Sequence, residues 1–88
     1  MTEQTIPTAD EIVSRIEDAI AADRPRRDLR MTDSIREDLR LDSLALMEVL
    51  TRVEEQFDIE LIDTAEIYSV VTVGELVQVI RSTLAAKP

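Results

Sequence analysis

The chain has 88 residues with 10 basic and 19 acidic side chains, a net charge of −9, and no Cys, His or Trp. This length fits one domain near the lower size limit for a single apolar core. The acidic excess argues against nucleic acid or an anionic membrane as partner, because Lys and Arg bind both. Without Cys and His there is no disulfide, thiolate nucleophile or Ser-His-Asp triad, so we do not expect an enzyme.

The chain shows no signal for export or membrane insertion. No apolar run approaches about 18 residues, the length of a membrane-spanning helix. The first residues are acidic, whereas secretory and transit segments are basic. These two observations predict a cytoplasmic protein, which we also expect to be monomeric. From the N-terminal Met and the short tail ending at Pro88, we expect a free-standing protein. It forms one domain over residues 1–88, with an ordered core at about 8–84.

The first predicted helix opens at Thr8, whose hydroxyl and the Glu11 carboxylate form a capping box. The helix is expected to end near Ala22. Its apolar stripe is Ile12, Val13, Ile16, Ala19 and Ile20. A long loop follows over residues 23–41, with six Arg against five acids, and we expect Ile35 and Leu39 to attach it to the core.

The second predicted helix has Asp42 as N-cap and runs from Ser43 to about Asp58. Its core stripe is Leu46, Val49, Leu50, Val53 and Phe57. The helical periodicity places two apolar side chains away from the core, among acids; these outward residues are Leu44, Met47, Glu48, Glu54 and Glu55. Apolar side chains within an acidic surface indicate docking to a basic partner, and an ordinary solvated helix face is the alternative.

The rest of the chain predicts two further helices and no sheet. Asp63 is expected to cap a short helix over residues 64–68. Thr72 and Glu75 form a second capping box at the start of the last helix. The apolar stripe of this helix is Val73, Leu76, Val77, Ile80 and Leu84. The prediction is an all-α four-helix bundle, with three longer helices, one short helix and a long loop between helices 1 and 2.

Few groups remain that carry chemistry. Gly74 is the only glycine, which excludes a glycine-rich phosphate loop and an EF-hand calcium loop. We predict no metal site and no catalytic residue. Ser43 lies in the first turn of a helix, where free backbone N–H groups and the positive helix end stabilise a phosphate. A capping role for this serine is the alternative.

Four segments of the sequence, 37–44, 47–50, 53–60 and 72–77, resemble the acyl carrier protein family, and the likeness extends over about residues 8–84. The resemblance implies that Ser43, between the motif residues Asp42 and Leu44, receives 4′-phosphopantetheine from coenzyme A through a phosphopantetheinyl transferase. The thiol of this arm carries acyl groups as thioesters in polyketide, fatty-acid or related secondary-metabolite biosynthesis.

The resemblance also implies where partner enzymes bind. The docking positions that follow the modified serine correspond to Leu44, Met47, Glu48, Glu54 and Glu55. Their expected partners are the transferase and acyl-transferring, ketosynthase-like or adenylating enzymes with basic docking patches. These positions coincide with the outward residues of the second helix.

Three departures from the family pattern favour a dedicated secondary-metabolite carrier over a housekeeping fatty-acid carrier. Arg40 stands where Gly is usual, Ala45 where an acid is frequent, and Leu61-Ile62-Asp63 where many relatives have Ile-Pro-Asp. One alternative is a discrete peptidyl or aminoacyl carrier, whose site more often reads Gly-Gly-x-Ser-Leu. The second alternative, an unmodified acidic helical adaptor, is disfavoured by the intact Asp-Ser-Leu motif at 42–44.

Overall fold

Three α-helices and one 3-10 helix account for the regular structure in the computed structural model, which describes residues 6–86. The α-helices are α1 (Ala9–Ala21), α2 (Ser43–Phe57) and α3 (Val73–Ala86), and the 3-10 helix, Ala65–Ser69, lies between α2 and α3. The described residues form no β-strand, only an isolated antiparallel bridge between Ser34 and Thr72. The predicted all-α architecture is confirmed, and its short fourth helix is of the 3-10 type.

The three α-helices begin at the positions that the capping residues Thr8, Asp42 and Thr72 indicated in the sequence. Thr8 and Glu11 form a reciprocal capping box, with hydrogen bonds of 3.1 and 3.2 Å between each backbone N–H and the other's side chain. Asp42 accepts a hydrogen bond of 2.8 Å from the backbone N–H three residues later. Thr72 and Glu75 form the second box at 3.0 and 3.2 Å. Each box satisfies backbone donors that the first helical turn leaves free.

The start of the 3-10 helix differs from the prediction. Asp63 does not cap it: the N-cap residue is Thr64, which makes no side-chain capping bond. Asp63 instead lies in a turn closed by a hydrogen bond of 2.9 Å from the Thr64 N–H to the Leu61 carbonyl. Because the turn precedes the helix, the helix begins one residue later than predicted, and burial of Ile67 holds it to the core.

The core lies between the three α-helices, and each contributes one apolar stripe. Leu46 and Phe57, predicted as core residues, are only half-buried, whereas Ala45 is 7 % exposed. An acid at position 45 would therefore be buried, so this departure from the family pattern does not change the outer surface of α2. The buried helical residues are Ile12, Ile16, Ala19, Ile20, Ala45, Val49, Leu50, Val53, Ile67, Val73, Leu76, Val77 and Ile80.

The long loop between α1 and α2 is attached to the core, as predicted, by buried Ile35 and Leu39. Backbone hydrogen bonds also attach it to the start of α3: Gly74 N–H donates to the Met31 carbonyl at 2.8 Å, and Val73 N–H donates to Asp33 at 2.9 Å. A Cβ on Gly74 would lie 3.0 Å from the Met31 oxygen, which is closer than most Cβ contacts, so this approach favours glycine. These contacts hold the loop against the N-terminus of α3.

Candidate functional site

Ser43 is the first residue of α2 and its side chain is exposed. The capping alternative for this serine does not hold, because Asp42 is the N-cap and its carboxylate accepts the capping bond from Ala45. Within residues 6–86 the Ser43 hydroxyl makes no hydrogen bond. An exposed hydroxyl without an internal partner is free to react with an external reagent.

The backbone around Ser43 favours an anion. In the described chain the N–H groups of Ser43 and Leu44 have no acceptor, because the preceding residues are not helical. These donors and the positive end of the helix dipole both stabilise a nearby phosphate. The site therefore fits a phosphate ester on the Ser43 hydroxyl.

A cleft of about 620 Å³ opens beside Ser43. Its lining comes from α2, from the loop before it and from the segment that contains the 3-10 helix. Apolar side chains dominate at Ile35, Leu46, Met47, Leu50, Ile67, Val70 and Val71. Polar or charged groups are contributed by Ser34, Arg36, Glu37, Ser43, Tyr68 and Ser69. A flexible arm on Ser43 thus has both the solvent and an apolar-walled cleft within reach.

Met47 lies in this cleft. The helical periodicity placed its side chain away from the core, on the docking face. In the structure Met47 is half-buried and packs against the core while lining the cleft. It therefore belongs as much to the cleft beside Ser43 as to the outer surface of α2.

The remaining docking residues divide into outward and inward side chains. Leu44 is 72 % exposed, and Glu48 and Glu55 are exposed without a side-chain partner within residues 6–86. Glu54 differs, because its Oε2 accepts hydrogen bonds from the backbone N–H groups of Leu61 at 2.5 Å and Ile62 at 2.9 Å. Glu54 thus joins α2 to the segment that leads into the 3-10 helix.

Groups with a perturbed pKa lie outside the site. Hydrogen bonds from the backbone N–H groups of Val71 and Thr72 lower the pKa of Glu75, and a hydrogen bond to Asp18 raises the pKa of Arg26. Among residues 6–86 no group of three or more acidic, His or Cys side chains is placed to hold a metal ion. No helix in that part of the chain is long and apolar enough to cross a membrane.

Comparison with known proteins decides between carrier and adaptor. A family model described as phosphopantetheine attachment site matches residues 10–80. An acyl carrier protein of Cyanophora paradoxa is 34 % identical over 91 residues, which cover 99 % of this chain and 87 % of that protein. The chain belongs to the acyl carrier protein family. This carrier is a substrate of phosphopantetheinyl transferase and not an enzyme, and its prosthetic group is a covalent 4′-phosphopantetheine.

The residues outside α2 that line the carrier's cleft were not predicted from the sequence. Arg36, Tyr68 and Val71 line the opening from the loop and from the segment around the 3-10 helix. Tyr68 is 67 % and Val71 58 % exposed, and neither belongs to a predicted stripe. No local pattern marks these residues, because only the tertiary arrangement of the loop, the 3-10 helix and α2 brings them to the cleft that Ser43 lines.

Proposed function

We propose that Ser43 is the residue that carries 4′-phosphopantetheine, and that the protein presents acyl intermediates to partner enzymes of polyketide, fatty-acid or related secondary-metabolite biosynthesis. The observation that supports this best is the exposed Ser43 hydroxyl, which has no partner in residues 6–86 while Asp42 caps the helix. The arm supplies the thiol on which acyl groups travel as thioesters. The chain contains no Cys that could compete for them.

In the modification the Ser43 oxygen forms a bond to the phosphorus that bears the pantetheine chain of coenzyme A. The bond from this phosphorus to the departing adenosine 3′,5′-bisphosphate breaks, and the hydroxyl proton passes to a base of the transferase. The free N–H groups of Ser43 and Leu44 then face the negative charge of the new phosphodiester. The role of this chain is to present the hydroxyl and to stabilise the ester.

Intact-mass spectrometry tests the attachment residue. After incubation with coenzyme A, Mg²⁺ and a permissive transferase, we expect one added phosphopantetheine on the wild type and none on Ser43→Ala. Ser69→Ala removes another exposed serine that lines the same cleft, and should be modified like the wild type. Modification of Ser43→Ala, or an unmodified wild type with several transferases, would refute the proposal.

We infer that partner enzymes dock on the outward surface of α2 around Leu44, Glu48 and Glu55, with Met47 at its edge. An exposed apolar side chain provides contact area, and the neighbouring carboxylates attract a basic patch. Glu54, also predicted as a docking residue, has one carboxylate oxygen occupied by two backbone donors. We therefore assign it mainly to stability.

Charge reversal tests this surface. Glu48→Lys and Glu55→Lys should each weaken binding to the transferase several-fold at low salt, where screening is weakest, and leave helicity unchanged. Glu66→Lys is the matched control, since it reverses an exposed acid on the 3-10 helix. Equal affinities for the wild type and both α2 variants, measured by calorimetry, would count against the acidic surface.

The pathway and the cargo are also proposals. Arg40, and the Leu-Ile-Asp at 61–63, depart from the common family pattern and favour a dedicated secondary-metabolite carrier. Asp42 before the serine and the net charge of −9 favour an acyl over an aminoacyl load. Loading of the holo form by acyltransferases but not by adenylating enzymes would support the acyl carrier, and the reverse result would establish the aminoacyl alternative. The cytoplasmic location and the monomeric state stay predictions from the sequence.

A further inference from the structure

The loop between α1 and α2 contains six arginines, and two of them have a partner among residues 6–86. Arg26 contacts the carboxylates of Glu17 and Asp18, and Arg27 donates to the Asp38 carbonyl at 2.7 Å. Within residues 6–86 the other four guanidinium groups make no ion pair or hydrogen bond; they belong to Arg24, Arg30, Arg36 and Arg40. In a protein of net charge −9, unpaired arginines are available for an anionic ligand.

Arg36 is the member of this unpaired set that lines the cleft beside Ser43. It follows buried Ile35, so its backbone position is held by the core while its side chain remains exposed. Glu37 lines the same cleft, but its carboxylate forms no salt bridge with the Arg36 guanidinium, so the nitrogen and oxygen atoms of the two groups lie more than 4.0 Å apart. The Arg36 guanidinium is therefore free to meet a negative charge at Ser43.

The chemistry of guanidinium suits a phosphodiester. Arginine is always protonated, and its planar group of N–H donors matches phosphate oxygens in a bidentate arrangement. A phosphate on Ser43 would meet the free backbone N–H groups on its helix side. Arg36, which lines the same cleft, would offer donors from the loop side.

We propose that Arg36 is a positioning residue for the prosthetic arm, and that its guanidinium pairs with the phosphodiester on Ser43. This inference rests on the attachment at Ser43 proposed above. The pairing restrains the first bonds of the arm and orients it along the cleft wall. Because the pair is exposed to solvent, salt weakens it.

Phosphorus NMR of the holo-protein measures this contact directly. The 31P resonance of the arm is recorded in about 10 mM and about 1 M NaCl, where the screening lengths are about 30 and 3 Å. We expect the wild-type resonance to move with salt, and Arg36→Gln to show the high-salt position in both conditions. Arg36→Lys should retain part of the salt response, since it keeps the charge without the planar donors.

Arg24→Gln is the matched control, because it removes an equally unpaired charge of the same loop that does not line the cleft. Its 31P resonance should follow the wild type. The apo forms should unfold at the same temperature, since Arg36 is exposed and has no partner in residues 6–86. Heteronuclear relaxation of isotope-labelled arm amides should show greater mobility in Arg36→Gln.

Two results would overturn the role of Arg36. One is a 31P resonance and salt response in Arg36→Gln equal to those of the wild type. The other is an equal loss in Arg24→Gln, which would assign the effect to the overall charge of the loop. The intact mass of each sample distinguishes both results from an error in the attachment residue. If the wild type gains no phosphopantetheine on Ser43, the attachment proposal is overturned, and the inference about Arg36 with it.

Discussion

Glu54 connects α2 to the segment before the 3-10 helix, and its replacement should destabilise the protein. Its Oε2 accepts the N–H groups of Leu61 at 2.5 Å and Ile62 at 2.9 Å. The Leu61 side chain is fully buried, so its N–H has restricted access to replacement water. Glu54→Ala leaves two backbone donors without their acceptor, and Glu54→Gln keeps an oxygen but loses the charge.

The expected loss follows from the number and type of these bonds. A hydrogen bond to a charged group contributes about 1.5–3 kcal/mol, and an unsatisfied buried donor costs about 1–3 kcal/mol. Glu54 is half-buried and one oxygen serves both donors, so we take the low end. Glu54→Ala should lower the free energy of unfolding by about 2 kcal/mol, and the melting temperature by about 8–16 °C for a domain of this size. Glu54→Gln should lose about half as much.

Urea and thermal unfolding followed by circular dichroism measure these losses. Glu55→Ala and Glu55→Gln are matched controls, since Glu55 is the exposed neighbour on the same helix. Their effects should stay within about 0.5 kcal/mol of the wild type, as for most surface substitutions. If the Glu54 and Glu55 variants change stability equally, the hydrogen bonds at residues 61 and 62 do not stabilise the fold as argued.

Three further substitutions test features of the fold. Gly74→Ala should lower the free energy of unfolding by about 1 kcal/mol or more, because the added Cβ meets the Met31 carbonyl oxygen at 3.0 Å. We expect this clash to outweigh the helix propensity of Ala, which is about 1 kcal/mol better than that of Gly in a helix interior. A raised melting temperature would show that the loop moves to accommodate the Cβ. Arg40 has a left-handed backbone, with φ at 57°. Arg40→Gly should therefore raise the free energy of unfolding by about 0.5–1 kcal/mol, which a higher urea midpoint would report. A lowered midpoint would contradict this. Hydrogen bonds from two backbone N–H groups, one of them on Val71, lower the pKa of Glu75 below its ordinary value of 4.5. The stability that this carboxylate contributes is present above pH 4.5 and is lost as the pH falls through the lower folded-state pKa. The unfolding curves of Glu75→Gln should therefore depend less on pH in that acidic range than those of the wild type. Identical pH dependence would contradict the assignment.

The left-handed conformation of Arg40 gives a physical reason for one departure noted in the sequence. The resemblance implies Gly at this position, and Gly adopts positive φ without a Cβ clash. Arg40 adopts this left-handed backbone less readily than Gly would, because it carries a Cβ.

The sequence by itself determined the local structure. Thr8, Asp42 and Thr72 mark the helix starts because capping depends on atoms three residues apart. The apolar periodicity predicted the ends of α1 and α2 to within about one residue. The motif around Ser43 was sufficient to identify the family, since it is continuous in the chain. These features all depend on neighbours within a few residues.

Only the tertiary structure decided which side chains share a surface with Ser43. Helical periodicity fixes the angle between side chains on α2, but the core side depends on how α1, α3 and the loop pack against it. That packing buries Ala45 and turns Met47 into the cleft. It also engages Glu54 with the following segment and brings Arg36 to the cleft that Ser43 lines. Each of these placements depends on segments outside α2, and helical periodicity does not describe how those segments pack against the helix.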